Sequence, residues 1–273
     1  MDEILNFEKI KKYYPARPRN SHKGTYGSAN IIAGSDKYMG AAALAAEAAL
    51  KSGCGYVKLT TSENVKLALV SAYPQVIFLE KPDLNSQSIA VGMGCGKSEK
   101  LYALIKMLLK EYTGKLIIDA DGLNVLAEYG KDVLKEKSCE IILTPHVKEF
   151  SRLTNLSIEE ITRNPIDTAT DFAKEYSVTL LLKGADSIIC DGTRLEINTR
   201  GTTALAKGGS GDMLSGYICG TAARGVDLFG AACCAAFTMG LSAEMCSKEK
   251  TDYCVTAKDI IKNLHNAVKL LTE

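Results

Sequence analysis

Ala29-Asn30-Ile31-Ile32-Ala33-Gly34-Ser35, then Gly40-Ala41-Ala42-Ala43-Leu44-Ala45-Ala46-Glu47-Ala48-Ala49-Leu50-Lys51-Ser52-Gly53, then Tyr56-Val57-Lys58-Leu59-Thr60: a strand, a helix and a second strand follow one another in a single short stretch. The first and last runs are apolar and rich in β-branched or aromatic residues. The middle run is alanine-rich and closes at Gly53 and Gly55. Strands that are apolar along their whole length, separated by a helix, predict a parallel sheet covered on both faces.

The same alternation continues along the chain. Further strands are expected at residues 75–79, 89–91, 116–119, 141–143, 178–182, 187–190 and 194–198, and helices at 99–110, 165–176, 212–223, 230–247 and 257–271. The last two strands, turning at Asp191-Gly192-Thr193, predict an antiparallel hairpin at one edge. No low-complexity linker, repeat or composition break divides the chain, so residues 1–273 are read as one α/β domain.

Composition narrows the functional classes. A net charge of +1 over 273 residues gives no reason to expect nucleic acid or an anionic membrane as a partner. No apolar run is read as approaching the roughly 20 residues needed to span a bilayer. The N-terminus, MDEILNFEKIKKYYPARPRN, opens with acids and has no long apolar stretch, unlike a signal peptide. Nine scattered cysteines without a C-x-x-C pair fit a reducing cytoplasm. His22, His146 and His265 lack the spacing of a zinc site.

The strongest chemical signal is Gly208-Gly209-Ser210-Gly211-Asp212, which opens directly into an apolar helical pattern. Glycines let backbone N–H groups converge on an anion, and the helix start adds unpaired donors. A carboxylate there repels bound phosphate unless it has work to do, which suggests that Asp212 is a base toward a hydroxyl. A plain loop with a helix-capping aspartate is the bland alternative.

Five strand ends are polar or glycine-rich: Gly34-Ser35; Gly92-Met93-Gly94-Cys95-Gly96; Asp119-Ala120-Asp121-Gly122-Leu123-Asn124; Thr144-Pro145-His146 with Glu149; and Lys183-Gly184-Ala185-Asp186. A parallel sheet brings such ends to a common edge, where ligands bind. The glycines at 92, 94 and 96 could serve only a tight turn, and Asp119 or Asp121 could cap a helix. Lys183, after an apolar strand, needs an acceptor, and a bound phosphate would provide one.

Taken together and in this order, Lys23-Gly24-Thr25-Tyr26-Gly27, the Asp119–Asn124 run, Thr144-Pro145-His146 with Glu149, Lys183-Gly184-Ala185 and Gly208–Asp212 resemble the ADP/ATP-dependent NAD(P)H-hydrate dehydratases of the ribokinase-like superfamily. That resemblance implies a three-layer sandwich with a mostly parallel central sheet, helices on both faces and a small antiparallel edge hairpin. It also implies repair of hydrated NADH and NADPH by phosphorylation of the 6-hydroxyl at the expense of ADP or ATP, then loss of phosphate.

Site residues follow from the same resemblance. Asp212 is the expected base, with Gly209, Ser210 and Gly211 stabilising the transferring phosphoryl group. Lys183, Gly184, Ala185, Asp186, Ser187 and Gly211 correspond to the nucleotide-binding positions. Ala42, Gly94, His146 and Asp212 correspond to positions that contact the hydrated dinucleotide. Asp119, Asn124 and Glu149 are candidates for outer contacts or Mg²⁺-bound water, Mg²⁺ being expected to neutralise phosphate charge, with no direct metal ligand assigned.

The resemblance further implies a homo-oligomer, tetramers being common among relatives. Residues 1–22 are too few for the epimerase domain that many relatives carry, so a separate epimerase is expected. Met93 stands where a proline is common, Thr202-Thr203-Ala204 where Asn-Pro-Gly often precedes the anion turn, and Lys207 where a threonine is usual. Lys207 could add charge near a phosphate or point to solvent. A small-molecule kinase of the same superfamily and a non-catalytic nucleotide sensor are the competing functions. The combination of TPH-x-x-E with DADGLN favours the dehydratase over the first, and the intact Asp212 argues against the second.

Overall fold

The computed structural model describes residues 3–273. Nine strands form one sheet in the order β3-β2-β1-β4-β5-β6-β7-β8-β9. They are β1 (Ser28–Ile32), β2 (Tyr56–Thr60), β3 (Ile77–Leu79), β4 (Ser88–Val91), β5 (Lys115–Ile118), β6 (Glu140–Leu143), β7 (Thr179–Leu182), β8 (Ser187–Cys190) and β9 (Leu195–Asn198). Pairing is parallel from β3 through β7 and antiparallel at β7–β8 and β8–β9, which is the expected edge hairpin.

The helices are α1 (Phe7–Lys11), α2 (Met39–Lys51), α3 (Glu63–Leu69), α4 (Glu99–Glu111), α5 (Asp121–Tyr129), α6 (Val147–Thr154), α7 (Ile158–Arg163), α8 (Pro165–Tyr176), α9 (Ser210–Ala223), α10 (Leu228–Cys254) and α11 (Ala257–Thr272). Two apolar cores lie on opposite faces of the sheet. One is built by α2, α9, α10 and α11 against residues such as Ile31, Ala90 and Ile117. The other is built by α4, α5, α6 and α8 against Ile89, Leu116 and Ile118. Neighbouring residues of one strand thus feed different cores, which is why these strands are apolar throughout.

On the first face the layers approach closely. A Cβ on Gly216 of α9 would stand 2.0 Å from the Ala45 carbonyl oxygen of α2. Only a glycine lets these two backbones meet, and the alanine-rich α2 supplies the matching flat surface. This contact brings the body of α9 directly onto α2.

Two expectations need correction. The strand expected at 75–79 is only Ile77–Leu79. The helix expected at 230–247 runs from Leu228 to Cys254, long and apolar enough by composition to cross a membrane; 89% of its apolar window is buried against the rest of the chain, as in a core helix. The N-terminal segment also takes part in the fold. Leu5 N–H donates to the Ile197 carbonyl (2.9 Å) and Ile197 N–H to that of Glu3 (2.7 Å), so this segment covers the exposed edge of β9.

Candidate active site

Parallel strands deliver their carboxyl ends to one edge, and the polar ends of β5, β6 and β7 meet there over the first turn of α9. Between β5 and α5, Ala120 adopts φ 49° and ψ −116°, a sparsely populated conformation for a residue with a Cβ. The bend sends the two flanking acids different ways. Asp121 accepts a hydrogen bond from Gly96 N–H (2.8 Å), tying the turn after β4 to α5. Asp119 is 1% exposed and accepts from Lys183 Nζ (2.9 Å) through Oδ1 and from Ser215 Oγ (2.7 Å) through Oδ2.

Lys183 is held by its backbone as well. Its N–H donates to the Pro145 carbonyl (2.8 Å), and a bridge with His146 extends the β6–β7 pairing past the strands proper. Its ammonium also lies 3.8 Å from Glu149 Oε2. Burial pulls the lysine pKa down, but Asp119 and Glu149 more than offset that, so the net shift is upward and the cation persists. Within the chain the acceptor of Lys183 is a protein carboxylate, where the sequence suggested a bound phosphate.

His146 caps α6. Its Nδ1 accepts from Glu149 N–H (3.1 Å), while Glu149 Oε2 accepts from His146 N–H (2.8 Å), a reciprocal capping box. Burial, with Lys183 and Arg152 nearby, holds the imidazole below its usual pKa and thus neutral at pH 7. Burial raises the pKa of Glu149, against the pull of Lys183.

Helix α9 has no side-chain cap: Gly209, at φ 94°, occupies the N-cap position. Asp212 is thus not the capping residue of the bland alternative but stands in the first turn. The N–H groups of Gly211 and Asp212 have no acceptor within the helix. Ser210 Oγ is buried and lacks a hydrogen-bond partner among the described residues. A free hydroxyl beside open N–H donors is a set of groups that an anion can satisfy. Asp212 is pushed up to about 6, first by burial and then by the Asp119 charge, with Lys183 partly opposing. A Cβ on Gly211 would lie 3.4 Å from Lys183 Nζ and 3.6 Å from Asp119 Oδ2, so the anion turn rests directly on that ion pair.

The remaining candidates divide. Gly94 packs against the start of α2, where an added Cβ would come within 2.8 Å of both Ala41 and Tyr38 Cβ. Ala42 is fully buried, in reach of Gly34, and shapes the floor there rather than presenting a surface. Gly184, Ala185 and Asp186 form the exposed loop between β7 and β8, and Ser187 Oγ donates to the Gly184 carbonyl (3.4 Å). Asn124 stands apart: its Oδ1 accepts from Arg152 Nη1 (2.6 Å), one turn down α5 from Asp121. Lys207 is exposed, but its ammonium is held by backbone carbonyls. Its Nζ donates to the carbonyls of Asp252, Tyr253 and Val255 (2.8, 2.8 and 2.6 Å), closing the end of α10.

Ser215 is the member that sequence reasoning misses. The one available signal was helical spacing, since it lies one turn after Asp212 on the same helix. No group of three or more His, Cys, Asp or Glu side chains among the described residues could hold a metal ion.

The NAD(P)H-hydrate dehydratase family model matches residues 29–266. The ADP-dependent (S)-NAD(P)H-hydrate dehydratase of Listeria monocytogenes is 30% identical, covering 96% of this chain and 94% of that protein. The bifunctional NAD(P)H-hydrate repair enzyme Nnr of Thermofilum pendens is 33% identical over 95% of this chain. This chain spans about half the length of such bifunctional relatives, 53% in that case. Among solved structures, the ADP/ATP-dependent NAD(P)H-hydrate dehydratase from Bacillus subtilis, co-crystallised with ATP and Mg²⁺, superposes with a TM-score of 0.88 at 29% identity, covering 98% of both chains. With the match running from β1 into α11 and enclosing every strand end described above, this chain belongs to the NAD(P)H-hydrate dehydratase family.

Proposed function

We propose that the protein repairs hydrated NADH or NADPH, using ADP or ATP to convert the ring hydroxyl into a phosphate that then leaves. The observation that carries this reading is the position of Asp212: a carboxylate with its pKa raised to about 6, in the first turn of α9, above the Lys183–Asp119 pair. A carboxylate so placed is largely ionised at pH 7 yet basic enough to accept a hydroxyl proton.

Asp212 takes the proton as the 6-oxygen attacks the terminal phosphorus of the nucleotide, and the phosphoanhydride bond breaks to release AMP from ADP or ADP from ATP. The N–H groups of Gly211 and Asp212, with the Ser210 hydroxyl, receive the equatorial phosphoryl oxygens. Lys183, held by Asp119 and Glu149, supplies positive charge beneath the same turn, and the exposed Gly184–Ser187 loop takes the rest of the nucleotide. In the second half of the reaction the C6–oxygen bond breaks, phosphate departs, the neighbouring ring carbon loses a proton, and the dihydropyridine returns. Water alone would require hydroxide as the leaving group, which is far poorer. His146, neutral and anchored by Glu149, and Gly94 flank the dinucleotide side.

Mg²⁺ would arrive on the nucleotide phosphates, and Asp119 and Glu149 are the carboxylates that would hold its waters. When bound, it neutralises phosphate charge. The unpaired cysteines agree with a cytoplasmic setting.

The test is absorbance at the reduced-nicotinamide band with purified protein, Mg²⁺, hydrated NADH and either ADP or ATP. A nucleotide-dependent rise, lost in Asp212→Asn, supports the reading and identifies the donor. No rise with either nucleotide overturns it in favour of a small-molecule kinase.

A further inference from the structure

The groove between α5 and α6 has no part in the chemistry above. It is lined by Lys97, Asn124, Ala127, Glu128, Arg152 and Asn155 and encloses about 640 Å³. That is within the range of small-molecule sites, about 300–1,000 Å³. Its position is fixed by the helices that also build the site. Asn124 lies one turn beyond Asp121 on α5, and Arg152 one turn beyond Glu149 on α6. The groove therefore begins where the candidate site ends, on the sheet face opposite α9. The Arg152 charge is felt at both His146 and Glu149, behind the larger effects of burial and Lys183.

Its charges are arranged for an anion. Lys97 stands 3.8 Å from Glu128, with both side chains at least half exposed, a pairing of little strength. Arg152 has no carboxylate within ion-pair distance among the described residues. A single neutral acceptor, Asn124 Oδ1, holds one of its nitrogens, leaving the rest of the guanidinium fork to a ligand.

Given the reaction proposed above, on which this step rests, the substrate is much longer than its reacting ring. Beyond the hydrated nicotinamide come two phosphates, a second ribose and adenine. The nucleotide donor occupies the β7–β8 side of the edge, so the remainder of the dinucleotide must leave by another route. We infer that the α5–α6 groove is the subsite for the phosphate-bearing adenosine half of the hydrated dinucleotide, with Arg152 as its phosphate ligand, oriented by Asn124, and Lys97 as a second cation.

The experiment compares wild type with Arg152→Ala, Arg152→Lys and Lys97→Ala, varying hydrated NADH, hydrated NADPH and the nucleotide in turn. Thermal unfolding confirms that each variant is folded. Arg152→Ala should raise KM for the hydrated dinucleotide about tenfold, the size expected for one charged hydrogen-bonded contact. The nucleotide KM should stay nearly constant, and Arg152→Lys should recover part of the loss. A rise of equal size for both substrates assigns the contact to the pyrophosphate; a rise for hydrated NADPH alone assigns it to the extra ribose phosphate. An unchanged substrate KM, or a rise confined to the nucleotide, overturns the assignment.

Calorimetric titration with NADPH, the reaction product, repeats the comparison without turnover. If wild type shows no repair with either donor, the dehydratase reading fails, and this titration still decides the groove. A Kd about tenfold weaker in Arg152→Ala supports it, and an unchanged Kd overturns it.

Discussion

The two ends of α9 obey opposite rules. Along its body the helix is packed throughout: Met213 through Ala223 are buried, and Gly216 lets α2 pack against the backbone itself, though Thr221 Oγ1 lacks a hydrogen-bond partner among the described residues. At its first turn the demands are left open. Gly209 holds a positive φ, Ser210 Oγ is buried without a partner, and Asp212 carries a carboxylate that its surroundings resist. A protein that packs one end so tightly does not leave the other unfinished for lack of means. The body holds the turn in place, and the turn keeps free the groups that a ligand will satisfy.

Asp212→Asn should break the comparison most sharply, by separating activity from stability. Turnover should fall by about 10²–10⁴-fold, the scale of a lost general base. Stability should move the other way at neutral pH. The folded-state pKa of about 6 lies above the usual 3.8, so folding disfavours the ionised form. The penalty is absent well below the usual value of 3.8, where both states are protonated, grows as pH rises toward 6, and is full above that. Denaturant titration of the variant should show a gain of about 1–2 kcal/mol at pH 7 that vanishes below about pH 3. In the wild type, turnover should decline with a single protonation as pH falls through about 6. A variant that loses stability along with activity would show Asp212 to be a structural residue.

Lys183→Met should damage both ends together. Among the described residues it leaves the buried Asp119 carboxylate with only Ser215 as a partner, and it removes the cation under Gly211. Breaking one side of a buried pair costs about 3–5 kcal/mol. Nucleotide-dependent turnover should be lost as well, and a double variant, Lys183→Met with Asp119→Asn, should regain stability without regaining turnover. Recovery of both would refute a direct role for the lysine. Gly216→Ala is the converse test, on the body alone. Its new Cβ would overlap the Ala45 carbonyl, so stability should fall by about 1–3 kcal/mol while kcat of the folded fraction is largely kept.

The contrast between the two ends also explains what was legible in the sequence. The body and its layer were readable because repetitive burial leaves a repetitive pattern: the strands 187–190 and the helix 165–176 fall where periodicity puts them. The short helices α5 and α6 carry too few turns for a period to show, and their starts are set by Ala120 strain and the His146–Glu149 box. At the site, the glycine turn and the acids were visible as residue types. Their partnerships were not, because Asp119, Lys183 and Ser215 come from three distant segments that only the sheet brings together. The length of α10 was misjudged for a related reason. Its polar C-terminal turns hide the fact that its apolar part is continuous and covered.

Lys207 offers the smallest effect and the finest probe of how the turn is held. It lies just before Gly208, and its three hydrogen bonds tie the anion turn to the end of α10, past the kink at Thr251, where φ is 64°. The contact is exposed, so water can replace the lysine at the three carbonyls. Lys207→Met should therefore cost only about 1 kcal/mol of stability. Its functional trace should be larger than that figure suggests, because the lost tether lets Gly208 and Gly209 explore other conformations and the donors of the first turn lose their alignment. KM for the nucleotide should rise a fewfold, with the pH dependence of turnover unchanged, since the surroundings of Asp212 are untouched. A shift of the pH profile instead would mean that Lys207 acts on Asp212 through its charge rather than on the turn through its tether.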